Sequence, residues 1–154
     1  MTLKLEPYHL PSQELGYVTE IQSDASGGQQ TPEDPGNWAA ALGQRKNCGQ
    51  PKGAEGFELL QLAGGTFNSR QCAWSTLQKE GKAVFEAFVN FDVYVRGTHI
   101  YLIVDSRVLF WMFRTKDPMV ARWYSFIQTF DFEMVHFSSE ENALCDALTR
   151  CVSI

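Results

Sequence analysis

One run of residues limits the possible folds more than any other: Thr98-His99-Ile100-Tyr101-Leu102-Ile103-Val104-Asp105-Ser106. It is β-branched and aromatic, and it stops at a carboxylate. A continuous apolar run of this length predicts a strand covered on both faces, as in parallel sheets flanked by helices. In open α/β sheets, ligands bind beyond the carboxyl ends of such strands. Asp105 is therefore expected where a crevice opens. A charge at a strand end is also an ordinary way to enter a helix, and Asp105 alone does not decide between the two.

The remaining pattern builds a sheet around that run. Leu15 to Asp24 reads as a strand ending at Asp24-Ala25-Ser26-Gly27-Gly28. Gln29 to Asn37, with two prolines, reads as a long hairpin loop. Trp38 to Gly43 is a second strand of small residues, Arg45 to Gly56 a polar, Gly-rich turn, and Phe57 to Phe67 a third strand. Short-range loops joining consecutive strands predict an antiparallel meander.

The period then changes. Ser75-Thr76-Leu77-Gln78 has the form of a capping box. Leu77, Glu80, Val84, Ala87, Phe88 and Phe91 follow at helical spacing. Glu80 lies inside this apolar stripe, where a carboxylate is costly unless it is paired or binds metal. After the 98–106 run, Ser106 is expected to cap a short helix through Met112. Asp117-Pro118 predicts a second helix start. Phe130 to His136 alternates as a half-buried strand. Ala143 to Cys151 closes the chain as a helix with Asp146 in its first turn. The order is that of one mixed-sheet α/β domain, and 154 residues suffice for one core.

Composition adds exclusions. Apolar content of 44% and aromatic content of 13% fit a globular chain. No apolar run is long enough for a membrane span, and no signal-peptide pattern is present, so neither membrane nor secretion is expected. Cys48, Cys72, Cys145 and Cys151 show no metal spacing and read as reduced thiols of a cytosolic or nuclear protein. The net charge of −5 argues against a nucleic-acid partner, but the middle of the chain is locally basic, with Arg70, Lys79, Lys82, Arg96 and Arg107 among its charges.

Four acids then stand out: Asp24 and Asp105 at strand ends, Glu80 in a helix, and Asp146 on the last helix. If the first and fourth strands are neighbours, Asp24 and Asp105 meet. Carboxylates sharing a crevice need counter-charge, and Mg²⁺ supplies it through oxygen ligands. Two such ions about 3.5–4 Å apart serve a phosphoryl displacement without an obligatory side-chain base.

The same residues resemble the ribonuclease H domain of reverse transcriptases, most closely those of Gypsy-type LTR retrotransposons. Ser23-Asp24-Ala25-Ser26 with Trp38 to Gln44 looks like "D-A-S … G-a-v-L-x-Q". Gly65 to Gln71 and Trp74 to Ala83 resemble "S-g-s-F … Q … W-s … K-E-x-x-A". Val104 to Leu109 stands where the family has "T-D-H-x-x-L". Ala121-Arg122-Trp123, Phe132-Glu133-Met134 and Glu141 to Arg150 resemble "a-R-W … F-e-i … G-x-x-N-x-x-A-D-a-L-S-R". The resemblance implies an α/β ribonuclease H-like fold over residues 15–151, after a lead-in of residues 1–14 from a preceding reverse transcriptase region. That fold is a five-stranded mixed sheet, three antiparallel strands then parallel strands, with helices on both faces.

It further implies an endoribonuclease that hydrolyses the RNA strand of RNA–DNA hybrids. Its cofactor is two Mg²⁺ ions, or Mn²⁺, held by Asp24, Glu80, Asp105 and Asp146. A polymerase domain in the same polyprotein is the implied partner, in a cytoplasmic or nuclear retroelement particle. Hybrid recognition runs through shape, phosphate and 2′-hydroxyl contacts. Candidates are Ser26, Gly27, Gly28, Ser75 and Gln78, with Arg70, Lys79 or Arg107 on phosphates; Trp74 either contacts sugars or packs in the core.

Three features depart from the family pattern. The Asp24–Trp38 loop is longer, Ser106 replaces a common His, and Ser138-Ser139 replaces a Pro-Gly. His136 is the nearest histidine to the region where the family often has an assisting one, and it reads either as a structural residue of its strand or as that assisting group. Two other functions fit the residues: a catalytically idle hybrid-binding or connection-type module, and a DNA-cutting nuclease of the integrase and resolvase kind. The enzyme reading requires the acids to converge without being tied up by arginine or lysine.

Overall fold

In the computed structural model, which describes residues 16–46 and 57–135, strand pairing starts from a long hairpin. β1 (Tyr17–Ser26) and β2 (Asn37–Lys46) run antiparallel from Tyr17 opposite Lys46 to Ser26 opposite Asn37. β3 (Glu58–Thr66) adds antiparallel to β2. The chain then forms α1 (Thr76–Val95), β4 (Ile100–Ile103), α2 (Ser106–Arg114), α3 (Pro118–Ile127) and β5 (Phe132–Val135). β4 is parallel to β1, and β5 is parallel to β4, giving one sheet in the order β3-β2-β1-β4-β5. The expected mixed sheet is observed, with β1 at its centre.

α1 forms where the capping box predicts it. Ser75 Oγ accepts from the Gln78 amide, and Gln78 Oε1 accepts from the Ser75 amide. The helix buries Val84, Ala87, Phe88 and Phe91 against Ile21, Ala40, Leu42, Ile100 and Leu102 of the sheet. Full burial of side chains such as Phe88 and Phe91 contributes about 1.5–3 kcal/mol each. α2 and α3 pack on α1 and on each other, so the three described helices share one side of the sheet. α3 starts as expected, with Asp117 accepting from Met119 N ahead of Pro118. No helix among the described residues is long and apolar enough to cross a membrane.

Several boundaries differ from expectation, each for a local reason. β1 extends to Ser26, so Asp24 lies inside the strand, opposite Ala39. β2 extends to Lys46, which puts Arg45 in the sheet rather than in a turn. There Arg45 reaches the buried Glu20 carboxylate, Nε to Oε2 at 2.7 Å and an η nitrogen to Oε1 at 2.8 Å. The helix after β4 is capped by Asp105, not Ser106: the Asp105 carboxylate accepts from Arg107 N, and Ser106 is the first helical residue. The lead-in, the closing helix with Asp146, His136, and Cys48, Cys145 and Cys151 lie outside the described residues.

Candidate active site

The register of the two central parallel strands positions the first pair of acids. Gln22 lies opposite Ile103. Two residues further along each chain come Asp24, still inside β1, and Asp105, just past the end of β4. The condition set by the sequence, that these strands be neighbours, is met.

α1 supplies the third acid. Glu80 sits one turn into the helix, half-buried, and its carboxyl is pushed up to about 7. Burial is the largest cause, and the negative charges of Asp24 and Asp105 add to it, with Arg107 opposing. Three carboxylates from β1, α1 and the β4–α2 junction therefore share one electrostatic environment. Asp146 lies outside the described residues.

The neighbour of Glu80 holds the frame. Lys79, expected on a phosphate, is buried instead and is withdrawn from substrate. Its ammonium donates to Gly27 O at 2.9 Å, Pro35 O at 2.8 Å and Cys72 O at 2.9 Å. All three donors of a lysine are thus used, and desolvation lowers its pKa against the raising influence of Cys72 and Asp34. The long β1–β2 loop is clasped to α1 by this one group. The loop also closes on itself, since Asp34 accepts from the Gln29 amide at 3.0 Å. Gly36, at φ 96°, returns the chain so close to Ser26 O that a β-carbon would sit 2.2 Å from it.

Asp105 is not an open ligand. Arg107 Nε reaches its Oδ1 at 3.2 Å and Oδ2 at 3.0 Å, and an η nitrogen reaches Oδ2 at 2.6 Å. The expectation of acids unengaged by arginine is contradicted here. The physical reason is proximity: a residue in the first turn of α2 folds back on its own cap. Hydrogen bonding to Asp105 and that residue's charge hold the guanidinium more firmly protonated than usual. Among the described residues, no cluster of three or more His, Cys, Asp or Glu is arranged to hold a metal ion.

The expected substrate contacts divide. Arg70 and Ser75 are exposed in the stretch entering α1, and Ser26 and Gly27 are half-exposed where β1 turns into its loop. Ser75 Oγ and Gln78 Oε1 are used by the capping box. Trp74 packs in the core, with ring centroids 5.7 Å from Trp123 and 6.4 Å from Phe67. Sequence reasoning missed the Arg107 pairing and the Lys79 clamp. The second had one available signal, a lysine one residue before an acid that already lay on a core-facing stripe.

This fold and this grouping of acids define a ribonuclease H-like domain, and comparison with known proteins agrees. Residues 19–130 match the family described as the RNase H-like domain found in reverse transcriptase, and the chain belongs to that family. A stretch of 87 residues is 28% identical to the retrovirus-related Pol polyprotein from transposon 297 of Drosophila melanogaster. The match takes in 55% of this chain but 8% of that polyprotein, so the chain spans less than a tenth of its relative.

Among solved structures, the native prototype foamy virus protease-reverse transcriptase superposes with a TM-score of 0.54 at 18% identity, over 93% of this chain and 21% of that one. The foamy viral enzyme in complex with RNA/DNA hybrid gives 0.56 at 13% identity, over 99% and 22%. LC9-RNase H1, a type 1 RNase H with the type 2 active-site motif, gives 0.52 at 15% identity, over 88% and 72%. At these identities the structures establish the shared fold.

Proposed function

We propose that this chain is a metal-dependent endoribonuclease that hydrolyses the RNA strand of RNA–DNA hybrids during retroelement reverse transcription. One observation carries the reading: Glu80 is held at a pKa of about 7 partly by Asp24 and Asp105, so three acids from distant parts of the chain act on one another. Such a cluster needs cationic compensation, and family membership supplies the context.

Carboxylate oxygens are the donor type that suits Mg²⁺ or Mn²⁺, while the three described acids are not drawn together as a metal cluster. Asp24, Glu80 and Asp105 would hold two such ions with Asp146 as the fourth ligand. When bound, such ions would supply water activation and charge stabilisation for phosphodiester hydrolysis. The chain's own residues set the frame. The parallel pairing of β1 with β4 would bring Asp24 towards Asp105, and Lys79 ties the loop to the start of α1 beside Glu80. Arg70, Ser75, Ser26 and Gly27 would meet phosphates and 2′-hydroxyls of the hybrid. His136 would assist proton transfer or product release. A polymerase region of the same polyprotein would hold the hybrid alongside, in a retroelement particle in the cytoplasm or nucleus.

A second reading has its own support. Arg107 on Asp105 is what a catalytically idle, hybrid-binding module would show. Incubation of labelled hybrid with the protein and Mg²⁺ or Mn²⁺ separates the two. The enzyme reading expects cleavage that Asp24→Asn or Asp105→Asn abolishes while circular dichroism stays native. Intact RNA at high protein concentration, with hybrid still bound, makes the domain an idle module.

A further inference from the structure

Resting on that reading, we propose that Arg107 is the resident counter-cation of the acid cluster and competes with divalent metal for Asp105. The metal-loaded site then forms only after the guanidinium has let go. Three observations converge on it. The guanidinium engages both carboxylate oxygens of Asp105. Its charge also acts on Glu80, a second member of the cluster. The pair is unequal in exposure: the Arg107 side chain is 82% exposed and that of Asp105 31%.

That inequality makes the contact displaceable. A guanidinium so exposed regains water when it leaves, and exposed ion pairs are weak. The carboxylate it leaves behind is partly desolvated and flanked by two more acids, a setting in which a doubly charged ion gains more than a singly charged one. Helix capping survives the exchange. Asp105 Oδ1 also accepts from Arg107 N at 2.9 Å, and a carboxylate has about four lone-pair directions, enough for a cap and a metal together. Arg107 also lines an open pocket of about 540 Å³ with Leu109, Phe110, Phe113, Tyr124 and Met134. A released side chain therefore has open space beside it, and the site gains a threshold in metal concentration.

The test is Mn²⁺ affinity, read by titration calorimetry on the full chain without nucleic acid. Arg107→Gln should tighten Mn²⁺ binding roughly two- to five-fold, the range expected when an exposed pair no longer opposes the ion. Arg107→Lys keeps the charge but lacks the planar fork, and should fall between Arg107→Gln and wild type. Arg114→Gln, at the far end of α2, should leave the affinity unchanged. Asp24→Asn should weaken Mn²⁺ binding in every background. If Arg107→Gln, shown to be folded by its melting curve, binds Mn²⁺ no more tightly than wild type, the competition is refuted while the nuclease reading stands. Equal tightening by Arg114→Gln refutes it also, since any positive charge would then do. If no variant binds Mn²⁺ in a manner sensitive to Asp24, the metal-dependent reading fails and takes this inference with it.

Discussion

The ammonium of Lys79 donates to the carbonyl of Gly27 at 2.9 Å, joining residues 52 positions apart. With Pro35 O and Cys72 O as its other acceptors, it ties the β1–β2 loop to the start of α1, one residue before Glu80. Lys79→Met keeps most of the apolar stem but strands two carbonyls in buried hydrogen bonds, those of Pro35 and Cys72, and the part-buried one of Gly27. Each unsatisfied acceptor costs about 1–3 kcal/mol, partly relieved by local rearrangement. The expected loss is about 3 kcal/mol in urea denaturation at neutral pH. A loss within about 0.5 kcal/mol would show that the loop does not depend on this clamp.

Glu20 and Arg45 form a second buried polar unit, on the two central strands of the hairpin. Glu20 is fully buried, and its Oε1 also accepts from Gln22 Nε2 at 2.8 Å. Removal of one partner leaves a buried charge uncompensated, so Arg45→Met should destabilise by about 3–5 kcal/mol. Glu20→Leu together with Arg45→Met should recover most of that loss. A double-mutant cycle in guanidinium chloride checks it; additive losses would mean that the two charges do not interact.

Ser75 gives a smaller, local prediction. Its hydroxyl accepts from the Gln78 amide at 3.2 Å at the exposed start of α1. Ser75→Ala should lower stability by about 1 kcal/mol, and Ser75→Asp should restore it, because a carboxylate caps as well and suits the positive end of the helix dipole. Thermal melts of the three proteins give the comparison.

The legible part of this molecule was the part written in periodicity. The apolar run ending at Asp105, the capping box at Ser75 and Gln78, and the Asp117-Pro118 start each became an element because local pattern and tertiary packing agree there. The adjacency of β1 and β4, on which the meeting of Asp24 and Asp105 was conditioned, is observed. What sequence did not disclose depends on lengths and on long side chains. Three more residues of β2, from Gln44 to Lys46, decide that Arg45 faces Glu20 rather than solvent. Lys79 and Arg107 both look like surface cations suited to phosphate. One is drawn inward by carbonyls of a loop whose course no local pattern specifies, and the other folds back on a carboxylate two residues away.

Glu80 ties the site to a measurable pH dependence. Its carboxyl titrates near 4.5 in the unfolded chain and at about 7 in the native protein. The native state therefore holds this proton more tightly than the unfolded one. Below pH 4.5 both states are protonated and the group is neutral to stability. As pH rises from 4.5 to about 7, the unfolded state ionises first, and the metal-free fold loses stability. A shift of this size would amount to about 3 kcal/mol for a fully buried group. Glu80 is only half-buried, and solvent screening reduces the expected loss to roughly 1–2 kcal/mol. Glu80→Gln, which cannot ionise, should remove that slope and leave the chelator-treated protein more stable than wild type at pH 8, with little difference at pH 4.5. Urea midpoints of both proteins across this range provide the measurement. Parallel pH profiles would mean that Glu80 does not feel Asp24 and Asp105, and the grouping of the three acids would lose its electrostatic support.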